Sequence, residues 1–243
     1  MKGLALPLVL IALAEIGARW HGASDSIAPP SEVARAFVEA LGDGSLVTAT
    51  RDTLIAAFGG LALGGAIGLA LGIALGLSRP LDRLMELPVE ILRPIPSVAM
   101  IPVALVALGF GYRLEIAIVG FACVWPMLIF SRAAVAGVEP RLLEVARALR
   151  LAPLATVFKI VMPAALPRIF VAFRLAAGVA LVVAVTVEIV VNPQGLGAAL
   201  MTSGQALRPD LTLAFLVWVG VVGFALNRAL TAAEARMFKR RAR

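Results

Sequence analysis

The stretch TLIAAFGGLALGGAIGLALGIALGLS, Thr53–Ser78, runs for 26 residues without a charge. As a helix it would rise about 39 Å at about 1.5 Å per residue, whereas a bilayer's hydrocarbon core is about 30 Å thick. It therefore reads as a membrane span. In lipid every backbone N–H and C=O must find its partner inside the segment, which makes the span a helix. Gly60, Gly64, Gly68, Gly72 and Gly76 recur every fourth residue, with Gly59 and Gly65 beside them. Residues four apart share a helix face, so the ladder is a groove without side chains that admits the backbone of another helix. Such a face serves either static packing or a contact that slides.

The rest of the chain extends this reading. It is 61% hydrophobic and 15% charged, where ordinary soluble domains are about 45–50% apolar and about 25% charged. Further uncharged runs lie at Gly3–Ala14 (resuming at Ile16–Ala18), Pro94–Tyr112, Ile116–Ser131, Leu175–Val187 (continuing past Glu188 to Val191) and Leu211–Asn227. No barrel-like alternation accompanies them, so the expectation is an all-α integral membrane protein with six transmembrane helices. The first span is expected to stay uncleaved, because it ends in Glu15 and Arg19 rather than at a small-residue cleavage site, although Gly22–Ser24 follow it.

The net charge of +7 would point to nucleic acid in a soluble protein. Here the bases sort by side. With the N-terminus cytoplasmic, Arg19, Arg35, Arg51, Arg113 and Arg208 fall outside and the other 17 of the 22 bases fall inside. That bias places both termini in the cytoplasm, and the basic tail (Arg236, Lys239, Arg240, Arg241, Arg243) needs no nucleic acid. Three regions follow. Residues 1–50 form the first span plus an extracytoplasmic amphipathic segment, in which Ser31 caps a short helix ending near Gly42. Residues 51–231 form the transmembrane core, with a cytoplasmic loop at about 132–168. Residues 232–243 form the basic tail. His21 is a lone surface histidine and Cys123 a lone small hydrophobe, so neither a disulfide nor a metal cluster is expected within the chain.

Polar exceptions stand out against this background. Pro94, Pro96 and Pro102 crowd the start of the third run. Proline in a membrane helix marks either a cavity-lining, broken segment or a kinked entry. Glu188 is the acid deep in a clear span. Intramembrane acids are costly, and this one reads either as part of an outer gate or as a side chain paired near the interface. Gly195 and Gly197 make a turn after it, and Arg174 at the other end of the same run is placed to snorkel.

The longest cytoplasmic loop contains EVARALRLAPLATVFKIVMPAALP, Glu144–Pro167. Pro140 suits a helix first turn, Leu142, Leu143, Ala146 and Leu149 fall near helical spacing, and Pro153 interrupts the run. Val157, Phe158, Ile160 and Val161 make a second short helix, with Pro163 as its stop and Pro167 ahead of the next span. This ordered helix–turn–helix is too short to span. It is either a docking surface or a segment lying on lipid.

Here a resemblance enters. Glu144-Val145-Ala146, Arg147, Arg150, Ile160 and Pro163 resemble the EAA loop of ABC importer permeases, in which Glu-Ala-Ala is followed at fixed spacing by Gly, Ile and Leu-Pro. With GLSRPLDRLMELPVEILRPIPSVAMIPVALVALGFG and PSEVARAFVEAL, nearly the whole chain is similar to the nitrate/sulfonate/taurine type of ABC importer permease. The resemblance implies a type I importer permease-like fold and a homodimer in the bacterial inner membrane. It also implies a coupling helix that docks on a cytoplasmic ATPase subunit, an extracytoplasmic solute-binding protein, and a small, anionic solute such as nitrate, a sulfonate or taurine. Arg150 stands where glycine is expected, and Val145 where the first alanine is. The expected turn therefore shifts toward Pro153, because arginine bends less cheaply than glycine. No GxxxxGK[ST] occurs around Lys2, Lys159 or Lys239. ATP and Mg thus belong to the partner, and no catalytic or metal-binding residue is assigned to this chain. The competing reading is a secondary transporter or channel that works without an ATPase.

Overall fold

The structure, a computed structural model, describes residues 2–20 and 28–238. His21, Gly22–Ser24 and the tail residues Lys239, Arg240, Arg241 and Arg243 lie outside the described residues. The helices in chain order are α1 (Lys2–Trp20), α2 (Pro30–Gly42), α3 (Ser45–Leu77), α4 (Arg79–Leu92), a 3-10 turn (Ser97–Met100), α5 (Ile101–Leu108) and α6 (Tyr112–Ala136). Then come α7 (Pro140–Ala148), α8 (Pro153–Thr156), a π-helical turn (Val157–Val161), α9 (Met162–Val190), α10 (Leu196–Gln205) and α11 (Pro209–Phe238). Among the described residues, four helical segments are long and apolar enough to cross a membrane: α3, α6, Pro153–Val190 and α11. A fifth arises if α4 and Ser97–Leu108, bent by 78° at their junction, count as one span. The residues of the expected first span form the helix α1, which is not among these membrane-length segments, so four or five spans stand against the expected six.

Three expectations change here. The third span is not one helix over Pro94–Tyr112. Pro96 precedes a 3-10 turn, α5 ends at Leu108, and Gly109 (φ +71) and Gly111 (φ +101) separate it from α6. Prolines that cannot donate and glycines in left-handed conformations break the helix at both ends. Second, Pro163 and Pro167 do not stop or precede a helix. Both lie inside a continuous helix over Pro153–Val190. The π-helical turn makes room, with the Met162 N–H donating to the Val157 carbonyl five residues back. Third, Ser31 is not a cap. α2 starts on Pro29 and Pro30 without a side-chain cap, and the Ser31 N–H (3.0 Å) and hydroxyl (2.8 Å) both donate to the Glu15 carboxylate.

The contacts divide into two units. The first comprises residues up to Leu54 with Val185–Phe224. In it α1 and α2 are joined by the Glu15–Ser31 bonds and by Arg19, which donates to the Ser31 hydroxyl at 3.3 Å. Trp218 of α11 donates to the Thr50 hydroxyl of α3 at 2.7 Å and stacks obliquely on Phe37 of α2 at 5.5 Å.

The second unit comprises Ile55–Ala184 and the residues from Ala225 onward. Its core is an alanine-rich seam. Ala172, Ala176, Ala177, Ala180 and Ala184 of α9 meet Ala57 and Leu61 of α3 and Val119, Cys123 and Met127 of α6. Cys123 is fully buried, as a small core hydrophobe is expected to be. The glycine ladder faces α6. A Cβ added at Gly64, Gly68 or Gly72 would strike the α6 backbone at Gly120, Val124 or Leu128, and one at Gly60 or Gly76 would strike Val119 or Val135. Without a hydrophobic driving force between helices in lipid, such close approach supplies the dispersion contacts that hold them. Arg132 pairs with Asp82 at 2.5 Å, and Arg174 with Glu234 at 2.8 Å. Arg174 thus has a protein carboxylate as its partner where the sequence points to lipid phosphate.

Candidate functional site

Residues 137–152, with α7 among them, connect two membrane-length helices, α6 and Pro153–Val190. Pro140 opens α7 at its first position, where a missing N–H costs nothing. Of the predicted residues on α7, Glu144, Val145 and Arg147 are exposed, and Ala146 alone is buried, at 2%. Ile160 and Pro163 are half-buried. Leu149, Leu154 and Phe158 stand 64%, 73% and 70% exposed, and the bases Arg147, Arg150 and Lys159 beside them in the chain are exposed too. A surface that is both apolar and basic is suited to a partner protein.

The turn sits at Arg150 itself, correcting the expected shift toward Pro153. Arg150 adopts φ +49, the Leu151 N–H donates to the Ala146 carbonyl at 3.0 Å, and the Arg150 N–H donates to the Arg147 carbonyl at 2.9 Å. This is a Schellman C-cap with arginine in the position that favours glycine. Left-handed backbone costs a non-glycine residue about 1–2 kcal/mol. The same motif recurs at Leu207 (φ +54), where the Arg208 N–H donates to the Ser203 carbonyl.

Pro94 and the residues around it border a cleft of about 560 Å³ in the second unit, lined by Glu86, Glu90, Arg93 and Arg132 among others. Pro96 is exposed beside it, as N-cap of the 3-10 turn. Glu188 belongs to the first unit. It is 2% exposed on the last turn of α9, and its carboxylate accepts the Gly197 N–H of α10 at 2.8 Å. Thr53, fully buried, accepts the neighbouring Leu196 N–H at 2.9 Å.

Two groups escape a reading of the sequence. Thr53 reads as the first residue of an apolar run, and nothing local marks its partner 143 positions away. Glu115 reads as a loop acid. It is 1% exposed in the first turn of α6, where the helix dipole favours a carboxylate. A signal for it does exist: only Arg113, Leu114 and Glu115 separate the runs ending at Tyr112 and beginning at Ile116.

Membrane-length helices packed backbone to backbone, with an exposed helix–turn–helix between two of them, define an integral membrane subunit built to engage another protein. Residues 64–243 match the family of binding-protein-dependent transport system inner membrane components, and the chain belongs to that family. It is an ABC importer permease subunit, a transport component rather than an enzyme, and membership implies an ATPase subunit and a solute-binding protein as partners. The chain is 32% identical over 203 residues to a Methanocaldococcus jannaschii protein named as an ABC transporter permease, covering 83% of this chain and 76% of that one. It is 28% identical over 242 residues to a Bacillus subtilis protein named as the aliphatic sulfonates transport permease SsuC, covering 99% and 86%. It is 27% identical over 149 residues to the taurine transport system permease TauC of Escherichia coli, covering 61% and 54%. The fold is shared with the MetNI methionine ABC transporter in inward facing conformations. There the TM-score is 0.64 at 24% identity, over 77% of this chain and 95% of that one. It is shared also with an amino acid ABC transporter with histidines, at a TM-score of 0.68 and 17% identity, over 82% and 98%.

Proposed function

We propose that two copies of this chain form the translocation pathway for a small anionic solute, and that α7 with the turn at Arg150 is the coupling segment on which a cytoplasmic ATPase subunit acts. The observation that carries the reading is the exposed segment itself: nine helical residues of α7, of which Ala146 alone is buried, joined to the helix Pro153–Val190. ATP and Mg reside on the ATPase, both termini are cytoplasmic, and the solute-binding protein works on the opposite side. Glu188, Pro94 and Pro96 are candidates for the pathway and its outer gate. The sulfonate and taurine names among the relatives support an anionic solute.

The apolar trio Leu149, Leu154 and Phe158 would fill an apolar groove on the ATPase, and Arg150 would face a carboxylate at its rim. The test is co-purification. An ATPase subunit retained with the intact chain in detergent, and released by Leu154→Asp or Phe158→Asp, supports the reading. Solute uptake that survives deletion of every candidate ATPase gene and follows an ion gradient would overturn it.

A further inference from the structure

α10 begins without a cap of its own. Its N-cap residue is Gly195, at φ +93, which has no side chain to offer the first N–H groups of the helix. Those donors are buried, and a buried orphan N–H is costly because it gives up its water without finding another acceptor. They are met instead from two other helices. The Thr53 hydroxyl of α3 donates its proton to the Ala49 carbonyl at 3.1 Å, which leaves a lone pair for the Leu196 N–H at 2.9 Å. The Glu188 carboxylate of α9 accepts the next donor, the Gly197 N–H, at 2.8 Å. Gly195 and Gly197 are required by the same arrangement, because a Cβ on either would strike Glu188. A carboxylate at a helix start is also favoured by the helix dipole. α10 then forms one wall of a cleft of about 650 Å³, opposite the α2–α3 junction at Asp43, Ser45 and Thr48.

We infer that Thr53 and Glu188 are positioning residues: a two-point clamp that fixes the start of α10 and so holds the wall of this cleft in place for the partner that delivers solute. The clamp is read from geometry alone. Its part in delivery rests on the proposed function, with this end of the chain extracytoplasmic. Glu188 thereby has a definite task, holding a helix, whether or not it touches the solute.

Hydrogen exchange on the full-length chain tests the clamp. Glu188→Ala and Thr53→Val should raise exchange at the Leu196 and Gly197 amides at least tenfold while α6 peptides stay unchanged. Glu188→Gln and Thr53→Ser, which keep an acceptor oxygen, should stay within about twofold of the parent. The functional arm uses the chain assembled with its ATPase in nanodiscs. Stimulation of ATP hydrolysis by the binding protein should fall at least fivefold in Glu188→Ala and Thr53→Val and return in Glu188→Gln and Thr53→Ser, with the same amount of ATPase bound. Unchanged exchange in the Ala and Val variants overturns the clamp, and so does failure of the Gln and Ser variants to restore protection. Raised exchange with undiminished stimulation overturns its part in delivery. If no ATPase assembles with the parent chain, the proposed function fails, and delivery with it, while the exchange result still decides the clamp.

Discussion

Replacing Gly64 by alanine adds one methyl group at the closest approach of α3 and α6. That methyl would lie 2.6 Å from the Gly120 carbonyl carbon, 2.7 Å from its Cα, and closer still to its oxygen. Ordinary contact begins at 3.4 Å, so the helices must separate locally by about 1 Å or more, and the obstacle is backbone that cannot rotate away. Overpacking costs about 1–3 kcal/mol, and a backbone obstacle puts this site near the top of that range. Alanine returns about 1 kcal/mol of helix propensity. The net expectation is a loss of about 2 kcal/mol, roughly a 30-fold drop in the folded-to-unfolded ratio. Two alanine variants serve as controls. At Gly65 the added methyl meets only Leu61 Cδ1 at 3.8 Å and Met127 Cγ at 3.9 Å. At Gly120, across the same seam, it meets the Gly60 carbonyl oxygen at 3.5 Å. Both should be neutral or stabilised by up to about 1 kcal/mol. Unfolding by SDS titration in mixed micelles, followed by tryptophan fluorescence, ranks the three. A Gly64→Ala variant as stable as Gly65→Ala and Gly120→Ala would refute the claim that the ladder holds α3 against the α6 backbone.

Other expectations follow from single sites. Glu144→Lys, at an exposed position of α7, should change stability by less than about 0.5 kcal/mol. It should still uncouple ATP hydrolysis from uptake in the assembled transporter, and full uptake by this variant would remove Glu144 from the coupling role. Arg150→Gly relieves the left-handed backbone at φ +49. After the entropy glycine loses on folding, it should stabilise by about 0.5–1 kcal/mol, seen as a higher thermal midpoint in detergent. Arg132→Ala leaves Asp82 half-buried without its 2.5 Å partner and should cost about 1–2 kcal/mol, with a double-mutant cycle against Asp82→Ala isolating the pair. Asp43 accepts the Ser45 N–H at 2.8 Å, and its bonds to Ser45 hold its carboxyl below the usual aspartate value of 3.8. Its contribution is therefore complete above that value and is lost as pH falls through the lower, folded one. The difference in Ser45 amide exchange between the parent chain and Asp43→Ala should vanish in acid, and a difference that persists there would contradict this role.

The features legible in the amino-acid sequence are those that repeat locally. The ladder from Gly60 to Gly76 is a period-four signal, and a helix face needs nothing else to define it. The segment from Pro140 is legible because proline placement and apolar spacing are local too. Sequence and fold part where a local rule meets a longer-range accommodation. Pro163 reads as a stop because proline breaks an ordinary helix, yet the π-helical turn just before it lets the helix continue. Arg150 reads as a costly place to turn, yet the paired bonds of the Schellman motif hold the turn there. Pro94–Tyr112 reads as a span because it is uncharged, but its prolines and glycines break it into short pieces.

By itself the amino-acid sequence determined that this protein is an integral membrane protein built of helices. Long uncharged runs depend on transfer free energies that add residue by residue, with no knowledge of neighbours. Only the tertiary structure decided which polar groups serve the fold. Thr53 and Leu196 meet across 143 residues of chain, and Glu188 became a clamp because α10 starts on a glycine that cannot cap it. A buried donor must be satisfied by whatever acceptor the packing brings near, and that choice is made in three dimensions.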